Sequence, residues 1–188
     1  ICGTCASLAG LEKALEDQNQ IEIEFSKRRI LMLHGLILTL GGMPLIYLGD
    51  ERGLLNDYSY TDDPGKAHDN RWVHRPSMVA LGSPTGESAE VFQSLLKLIK
   101  IRKTELAFAG TDLQVMDMDN PHVLGFVRSS DHHQVLVLAN FSEHPQFVDS
   151  DLLNLYTSAK ECSELITGSK ISLENMKIAP YQLLLLRT

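Results

Sequence analysis

The chain has 188 residues, of which 44% are hydrophobic and 22% are charged, and its net charge is -7. This composition is typical of a globular protein with one large domain or two small ones. The charge is spread along the chain, and no cluster of Lys and Arg carries interleaved aromatics, so no nucleic-acid surface is expected. The apolar stretch 30–48 is interrupted by Gly41, Gly42 and Pro44, so no membrane span is expected.

The first residues contain the spacing Cys2-Gly3-Thr4-Cys5. This CxxC could be half of a zinc site or a redox pair, but the sequence has no second CxxC, no His pair at ligand spacing and no preceding strand. We therefore favour two small buried thiols and expect no metal. With Cys162 the cysteine count is odd, which fits a reducing, cytoplasmic compartment, although secretion stays open.

The first half of the chain has the pattern of helices followed by a buried strand. Residues 7–16 predict a short helix, residues 16–24 a polar connector, and residues 26–40 a helix that is apolar nearly all round and stops at Gly41-Gly42. The run 43–48, "MPLIYL", is continuously apolar, as is typical of a parallel strand covered on both faces. Helix, tight turn and buried strand form half of an α/β repeat.

A long segment and one more helix follow. Residues 49–87 show no periodicity and are far longer than a typical connection, which is usual for functional loops. Residues 89–103 carry a broad apolar stripe with basic residues toward the C-terminal end, which predicts a helix.

After Ala107 the pattern changes to short β-rich runs separated by turn residues such as Asp119-Asn120-Pro121 and Ser129-Ser130-Asp131. The sequence therefore predicts an antiparallel sheet or sandwich appended to the α/β part, and an α+β fold class overall. The runs are residues 111–119, 122–130, 133–142, 145–150 and 180–188.

Polar side chains cluster where the predicted strand 43–48 ends. In parallel α/β folds ligands bind beyond the carboxyl ends of the strands, and Asp50, Glu51 and the whole loop with Arg71 occupy that position. Carboxylates and guanidiniums bind paired hydroxyls while aromatic faces cover C–H surfaces, so the mixture suits a sugar.

Structural interpretations of the same residues stay open. Arg71 and Arg75 could pair with loop carboxylates to hold the loop in shape, and for Arg75 this is the favoured interpretation. Asp50 and Glu51 could accept hydrogen bonds from backbone N–H groups at the start of the loop. Trp72 is interpreted as a buried anchor for the loop.

The stretch 41–76, "GGMPLIYLGDERGLLNDYSYTDDPGKAHDNRWVHRP", resembles the last barrel strand and following loop of the alpha-amylase family of glycoside hydrolases. "PLIYLGDE" marks the wider family, whereas "LND" joined to "DNRWVHRP" resembles its amylosucrase group. The resemblance extends over nearly the whole chain. It implies that residues 1–108 are the C-terminal part of a (β/α)8 TIM barrel and that residues 109–188 are a C-terminal β-sandwich.

The resemblance also implies roles for particular residues. Arg71 matches an arginine that reaches the glucosyl unit at the bond to be broken, Asp69 and Asn70 shape its loop, and Asp50 and Glu51 match a supporting strand-end pair. The family's nucleophile and acid/base lie on earlier barrel strands, so no catalytic residue is assigned here. No cofactor is expected.

The implied parent enzyme takes glucose from sucrose and passes it to a growing α-1,4-glucan, and this part of it is expected to be inactive and to self-associate. Sucrose hydrolase or another alpha-amylase family glycosidase is the alternative within enzymes. A free-standing carbohydrate-binding module is the alternative from a different class.

Overall fold

The computed structural model describes residues 2–75 and 83–188. The chain divides into two compact units, one made of Ile1–Leu31 with Leu45–Leu95 and the other of Met32–Pro44 with Leu96–Thr188. Pro76, the last residue of the "DNRWVHRP" motif, lies outside the described residues. In the described part of the chain, every helix is too short or too polar to span a lipid bilayer.

The N-terminal helix predicted over 7–16 is wrong in detail, because two short helices occupy this region. Thr4 caps the first of them by accepting a hydrogen bond from Ser7 N. Gly10 then takes a left-handed conformation with φ of +96° and ends the regular backbone, which a residue with a Cβ adopts only at a cost. The two helices are α1 (Cys5–Leu8) and α2 (Leu11–Glu16).

The polar connector predicted over 16–24 is also wrong, because helix α3 (Gln20–Thr39) begins inside it. Asn19 provides the start signal, since its Oδ1 accepts from Glu22 N at 3.2 Å. Ile23 and Ile30 of this helix are buried. The acidic residues of the predicted connector therefore lie on the other faces of an amphipathic helix. Helix α4 (Gly86–Thr104) confirms the helix predicted over 89–103.

The first unit has a small apolar core. Its buried residues come from the two N-terminal helices, the first half of α3 and the start of α4, with Ala9 and Leu55 packed against them. Lys27 of α3 forms salt bridges with Glu87 at 2.7 Å and Glu90 at 2.5 Å from α4. The core residues are Ala6, Leu11, Ala14, Ile23, Ile30 and Val91.

The apolar run 43–48 does not form the predicted buried strand. No strand is assigned to it, and Met43, Leu45 and Leu48 are 94%, 81% and 63% exposed. A strand forms only when its N–H and C=O groups meet those of a neighbour. Residues 43–48 pair with no strand of the described chain, so their apolar side chains stay in contact with solvent.

We expect this exposed run to cause self-association, because large contiguous apolar patches are rare on monomeric proteins. Light scattering at high concentration should give a mass above the 20.9 kDa of one chain, and Leu45→Glu should lower it. Leu155→Glu changes a leucine that is equally exposed, at 78%, and serves as the matched control. A strictly monomeric wild type would contradict the prediction.

The second unit contains the antiparallel part, and this prediction is confirmed. A six-stranded sheet has the order β1-β2-β3-β8-β5-β6, a two-stranded sheet pairs β4 with β7, and every pairing is antiparallel. A short helix, α5 (Ser150–Asn154), follows β4. The strands are β1 (Asp112–Met116), β2 (Val123–Ser130), β3 (His133–Asn140), β4 (Gln146–Val148), β5 (Glu161–Glu164), β6 (Lys170–Ser172), β7 (Met176–Ile178) and β8 (Leu183–Arg187).

The two sheets share one core. Leu136, Leu138 and Leu186 of the large sheet belong to the same buried cluster as Val148 and Ile178 of the small sheet. Leu183 lies on the opposite face of β8 and faces helix α3. A Cβ on Gly35 of α3 would lie 2.1 Å from Cδ2 of Leu183 and 3.7 Å from Cδ1 of Leu98 of α4. Helix α3 approaches the sheet closely because residue 35 has no side chain.

Candidate functional site

The predicted site residues lie in the first unit, on a segment built from turns and short 3₁₀ helices. The first of these helices, Asp50–Arg52, carries Asp50 and Glu51. It lies between Gly49 and Gly53, with φ of +102° and +59°. Glycines allow this tight reversal because no Cβ opposes the left-handed conformation.

Glu51 acts inside this turn. Its Oε2 accepts a hydrogen bond from Gly49 N at 2.8 Å. Glu51 therefore makes the contact that the structural interpretation expects, because its carboxylate satisfies a backbone N–H at the start of the loop. Asp50 donates its backbone N–H to Tyr47 O at 3.0 Å, which ties the turn to the end of the apolar run.

Cys5 is a half-buried thiol beside the turn that holds Asp50. Burial, followed by the negative charge of Asp50, raises the pKa of Cys5 to about 11. The reactive and metal-binding form of cysteine is the thiolate, which is scarce at neutral pH for such a thiol. Cys2 and Cys5 are both free thiols, and both are half-buried.

Arg71 lies on the 3₁₀ helix Asn70–His74, and Asp69 orients it. Asp69 caps the helix by accepting from Arg71 N at 3.0 Å. The same carboxylate accepts from Arg71 Nε and Nη2, each at 2.8 Å. The Arg71 side chain is still 62% exposed, so a fixed guanidinium presents its remaining N–H groups to solvent.

The Arg71 guanidinium, followed by the backbone N–H of Arg71, lowers the pKa of Asp69 from 3.8 to about 2. Because this pKa is depressed, the stabilising interaction is complete above about pH 3.8 and is lost as the pH falls through about 2. Arg71→Ala should raise the pKa of Asp69 but leave it below 3.8, since the backbone N–H of residue 71 still donates.

Carboxyl-carbon NMR during an acid titration measures this change. Asp63 is the internal control, since the N–H of Gly65 is the main cause that lowers its pKa and Arg71→Ala leaves that contact in place. An unchanged titration of Asp69 in Arg71→Ala would show that the pair does not form in solution.

The other residues of the motif pack around this pair. Asn70 Oδ1 accepts a weak hydrogen bond from Cys2 Sγ at 3.5 Å. Trp72 is half-buried, with Lys66 Nζ 5.1 Å and Arg75 Cζ 5.7 Å from its ring. Arg75 thus lies over an aromatic ring, and its positive charge is also one of the causes that lower the pKa of Asp69.

Two contacts reach the helix that carries Arg71, one from Tyr47 at the end of the apolar run and one from Asp57. The rings of Tyr47 and His74 meet edge to face with centroids 5.7 Å apart. Asp57 N donates to Val73 O at 2.8 Å. Asn70 and Arg71 begin the 3₁₀ helix that Asp69 caps, and Tyr47 connects that helix to the turn that holds Asp50 and Glu51.

The sequence interpretation missed a polar network that anchors this segment. Asn56 and Tyr58 both bind the carboxylate of Glu12 from α2. Thr4 N and Ser7 Oγ bind the same asparagine. The partners lie 44 to 52 residues away in sequence, so no local pattern could have found them.

The chain has an α+β fold, with helices followed by an antiparallel sheet. It shares this fold with a portion of each of several solved amylases of the alpha-amylase family. No protein-family model matches the chain. The maltogenic amylase from S. marinus superposes with a TM-score of 0.57 at 20% identity, over 85% of this chain and 19% of the amylase.

Two further solved structures give the same result. The Anoxybacillus alpha-amylase has a TM-score of 0.64 at 17% identity, over 93% of this chain and 34% of the enzyme. AmyP in complex with maltotriose has a TM-score of 0.69 at 15% identity, over 89% of this chain and 35% of AmyP. At these identities the similarity shows a shared fold, and this chain spans about a third or less of each enzyme.

Proposed function

We propose that these residues are the C-terminal portion of a larger alpha-amylase family enzyme, a retaining, sucrose-active glucosyltransferase of the amylosucrase group. Residues 1–108 would complete a TIM barrel and residues 109–188 would be its β-sandwich. Two observations support this: the chain matches amylases over 85% to 93% of its own length but 19% to 35% of theirs, and the apolar run 43–48 has no strand partner within residues 2–75 and 83–188.

The observation that carries the proposal is the exposed Arg71 guanidinium, held by Asp69. A planar guanidinium whose direction is fixed binds two neighbouring hydroxyls or a ring oxygen and hydroxyl with little loss of side-chain entropy. In the parent enzyme Arg71 would bind the glucosyl unit. Asp69 and Asn70 would hold its helix, and Asp50 and Glu51 would shape the turn beside it.

The chemistry requires groups that we place outside this chain. A retaining glycosidase uses a carboxylate nucleophile and an acid/base carboxyl about 5–5.5 Å apart on opposite sides of the bond. We assign neither role to a residue of this chain. The 188 residues alone should release no fructose from sucrose, and substantial release would overturn the placement.

The direct test is to extend the reading frame upstream of Ile1 and express the complete protein. It should release fructose from sucrose and form α-1,4-glucan, and Arg71→Ala should lower kcat/KM about 100-fold, the usual effect of losing a charged hydrogen bond to a substrate. Arg28→Ala, a partly exposed arginine on α3, is the control. Full activity in Arg71→Ala would remove this residue from the proposed site.

Another alpha-amylase family glycosidase is the alternative, favoured by the amylases among the solved structures and by the maltotriose bound to AmyP. Activity of the complete protein on maltooligosaccharides and not on sucrose would select it. Calorimetry of the 188-residue chain with maltotriose tests the free-standing module, since a module binds unaided and an incomplete cleft does not.

A further inference from the structure

The side chain of Asn56 connects the N-terminal helices to the functional segment. Its Oδ1 accepts from Thr4 N at 2.9 Å, and its Nδ2 donates to Glu12 Oε2 at 3.1 Å and to Tyr58 Oη at 3.0 Å. Its own backbone N–H donates to Ser7 Oγ at 2.9 Å. Both ends of the amide and the backbone N–H are thus bound to α1, α2 or their cap.

The next residue carries this anchor to the helix that bears Arg71. Asp57 N donates to Val73 O at 2.8 Å, and Val73 is the buried residue of that 3₁₀ helix. Asp57 also caps the 3₁₀ helix Tyr58–Asp62 by accepting from Ser59 N at 2.9 Å. One peptide unit therefore lies between the Asn56 network and the backbone of the site.

We infer that Asn56 is a positioning residue for Arg71: it fixes the 56–57 backbone against the N-terminal helices, and that backbone holds the Asn70–His74 helix in place. This inference rests on the proposed function of Arg71. The segment needs such an anchor because its short 3₁₀ helices have few internal hydrogen bonds and are not stable alone.

Asparagine suits this position for a chemical reason. Its amide offers one acceptor and two donors in one plane, and this network uses an acceptor toward Thr4 and donors toward Glu12 and Tyr58. An aspartate would keep the acceptor toward Thr4 but place a second carboxylate beside Glu12. Asn56→Asp therefore tests the contribution of the donors separately from that of the acceptor.

Amide hydrogen exchange, resolved by NMR in the 188-residue chain, tests the positioning. Asn56→Ala and Asn56→Asp should speed exchange of the Asp57, Trp72 and Arg75 amides about tenfold, the effect of losing a part-buried hydrogen-bond network on local opening. Tyr58→Phe removes the hydroxyl that accepts from Asn56 and donates to Glu12, but it leaves the other Asn56 contacts in place and should give a smaller increase. Asn154→Ala, an exposed asparagine of α5, should change none of these amides.

The hydrogen-exchange experiment can either support or overturn the inference. Faster exchange confined to residues 56–75 supports the inference, whereas unchanged exchange at Asp57 and Trp72 overturns it. Exchange that rises equally in α3 and α4 would show a general loss of stability and would also overturn it. If Asn56→Ala does not fold, Tyr58→Phe decides by the same criterion.

A double-mutant cycle in the complete protein tests the link to Arg71. Asn56→Ala should lower kcat/KM, and Asn56→Ala with Arg71→Ala should be no worse than Arg71→Ala alone, because both changes remove the same interaction. Effects that multiply would overturn the inference. A complete protein with no activity on any glucan or sucrose would refute the proposed function, and the exchange experiment would then decide the positioning by itself.

Discussion

Replacing Arg128 by methionine is expected to lower the free energy of unfolding by about 3 kcal/mol, within the range for removing one partner from a buried charged network. Arg128 lies in β2 and is completely buried. Its Nε donates to Asp112 O at 3.0 Å, and its Nη1 and Nη2 donate to Thr39 O and Gly110 O. Methionine fills a similar volume but leaves three carbonyls without this donor.

The contact with Thr39 explains why the effect should be large. Thr39 is the last residue of α3, and carbonyls at a helix C-terminus have no partner within the helix. A buried cation there also interacts favourably with the helix dipole. Burial, and then the nearby Arg102, lower the pKa of Arg128, yet a guanidinium stays charged at every physiological pH.

Urea unfolding followed by far-UV circular dichroism measures the loss. Arg128→Lys should recover only part of the stability, because the single nitrogen of an ammonium cannot occupy the three positions from which Nε, Nη1 and Nη2 donate. Arg28→Met, on a side chain 38% exposed in a helix ion pair, should change the unfolding free energy by less than about 0.5 kcal/mol. Equal effects at positions 28 and 128 would contradict the prediction.

Replacing Glu164 by alanine should cost about 2–3 kcal/mol, the penalty for leaving several buried donors without an acceptor. Glu164 is 1% exposed. Its carboxylate accepts from Ile166 N at 2.9 Å, Thr167 N at 2.6 Å and Leu185 N at 3.4 Å. It thereby joins the turn after β5 to the neighbouring strand β8.

The matched control is Glu161→Ala, which changes an exposed glutamate of the same strand and should be nearly neutral. Glu164→Gln should also be destabilising, because it turns one acceptor oxygen into an NH₂ group that faces a donor. Thermal unfolding of the three variants separates these cases. A wild-type melting temperature in Glu164→Gln would show that the N–H groups do not depend on the charge.

Local patterns predicted a large part of the fold. The apolar stripe of α4 and the β-rich runs that contain β1, β2, β3 and β8 are properties of neighbouring residues, so they could be found from the sequence. The turns were predicted from Asp119 and Asp131, and both residues have the positive φ, 46° and 50°, that short polar side chains tolerate. The pair Asp69 and Arg71 is local as well, since the two residues are two positions apart.

The missed break at Gly10 and the missed start of α3 at Asn19 have local causes, whereas the errors in the strands arise because the deciding partner is distant in the chain. The run 43–48 has the composition of a buried strand, but burial and pairing require a neighbouring strand that the composition cannot provide. The same holds for the short segments β5, β6 and β7, which become strands only because β8, β5 and β4, respectively, offer them hydrogen-bond partners.

The sequence by itself determined the α+β order of elements, the antiparallel turns and the local pair of Asp69 and Arg71, because these depend on periodicity and on residue chemistry within a few positions. The tertiary structure alone decided which charged groups are buried and which apolar groups are not. Arg128 and Thr39 are 89 residues apart and Asn56 and Thr4 are 52 apart. Such contacts form when the chain folds back on itself and gives a buried polar group its partners.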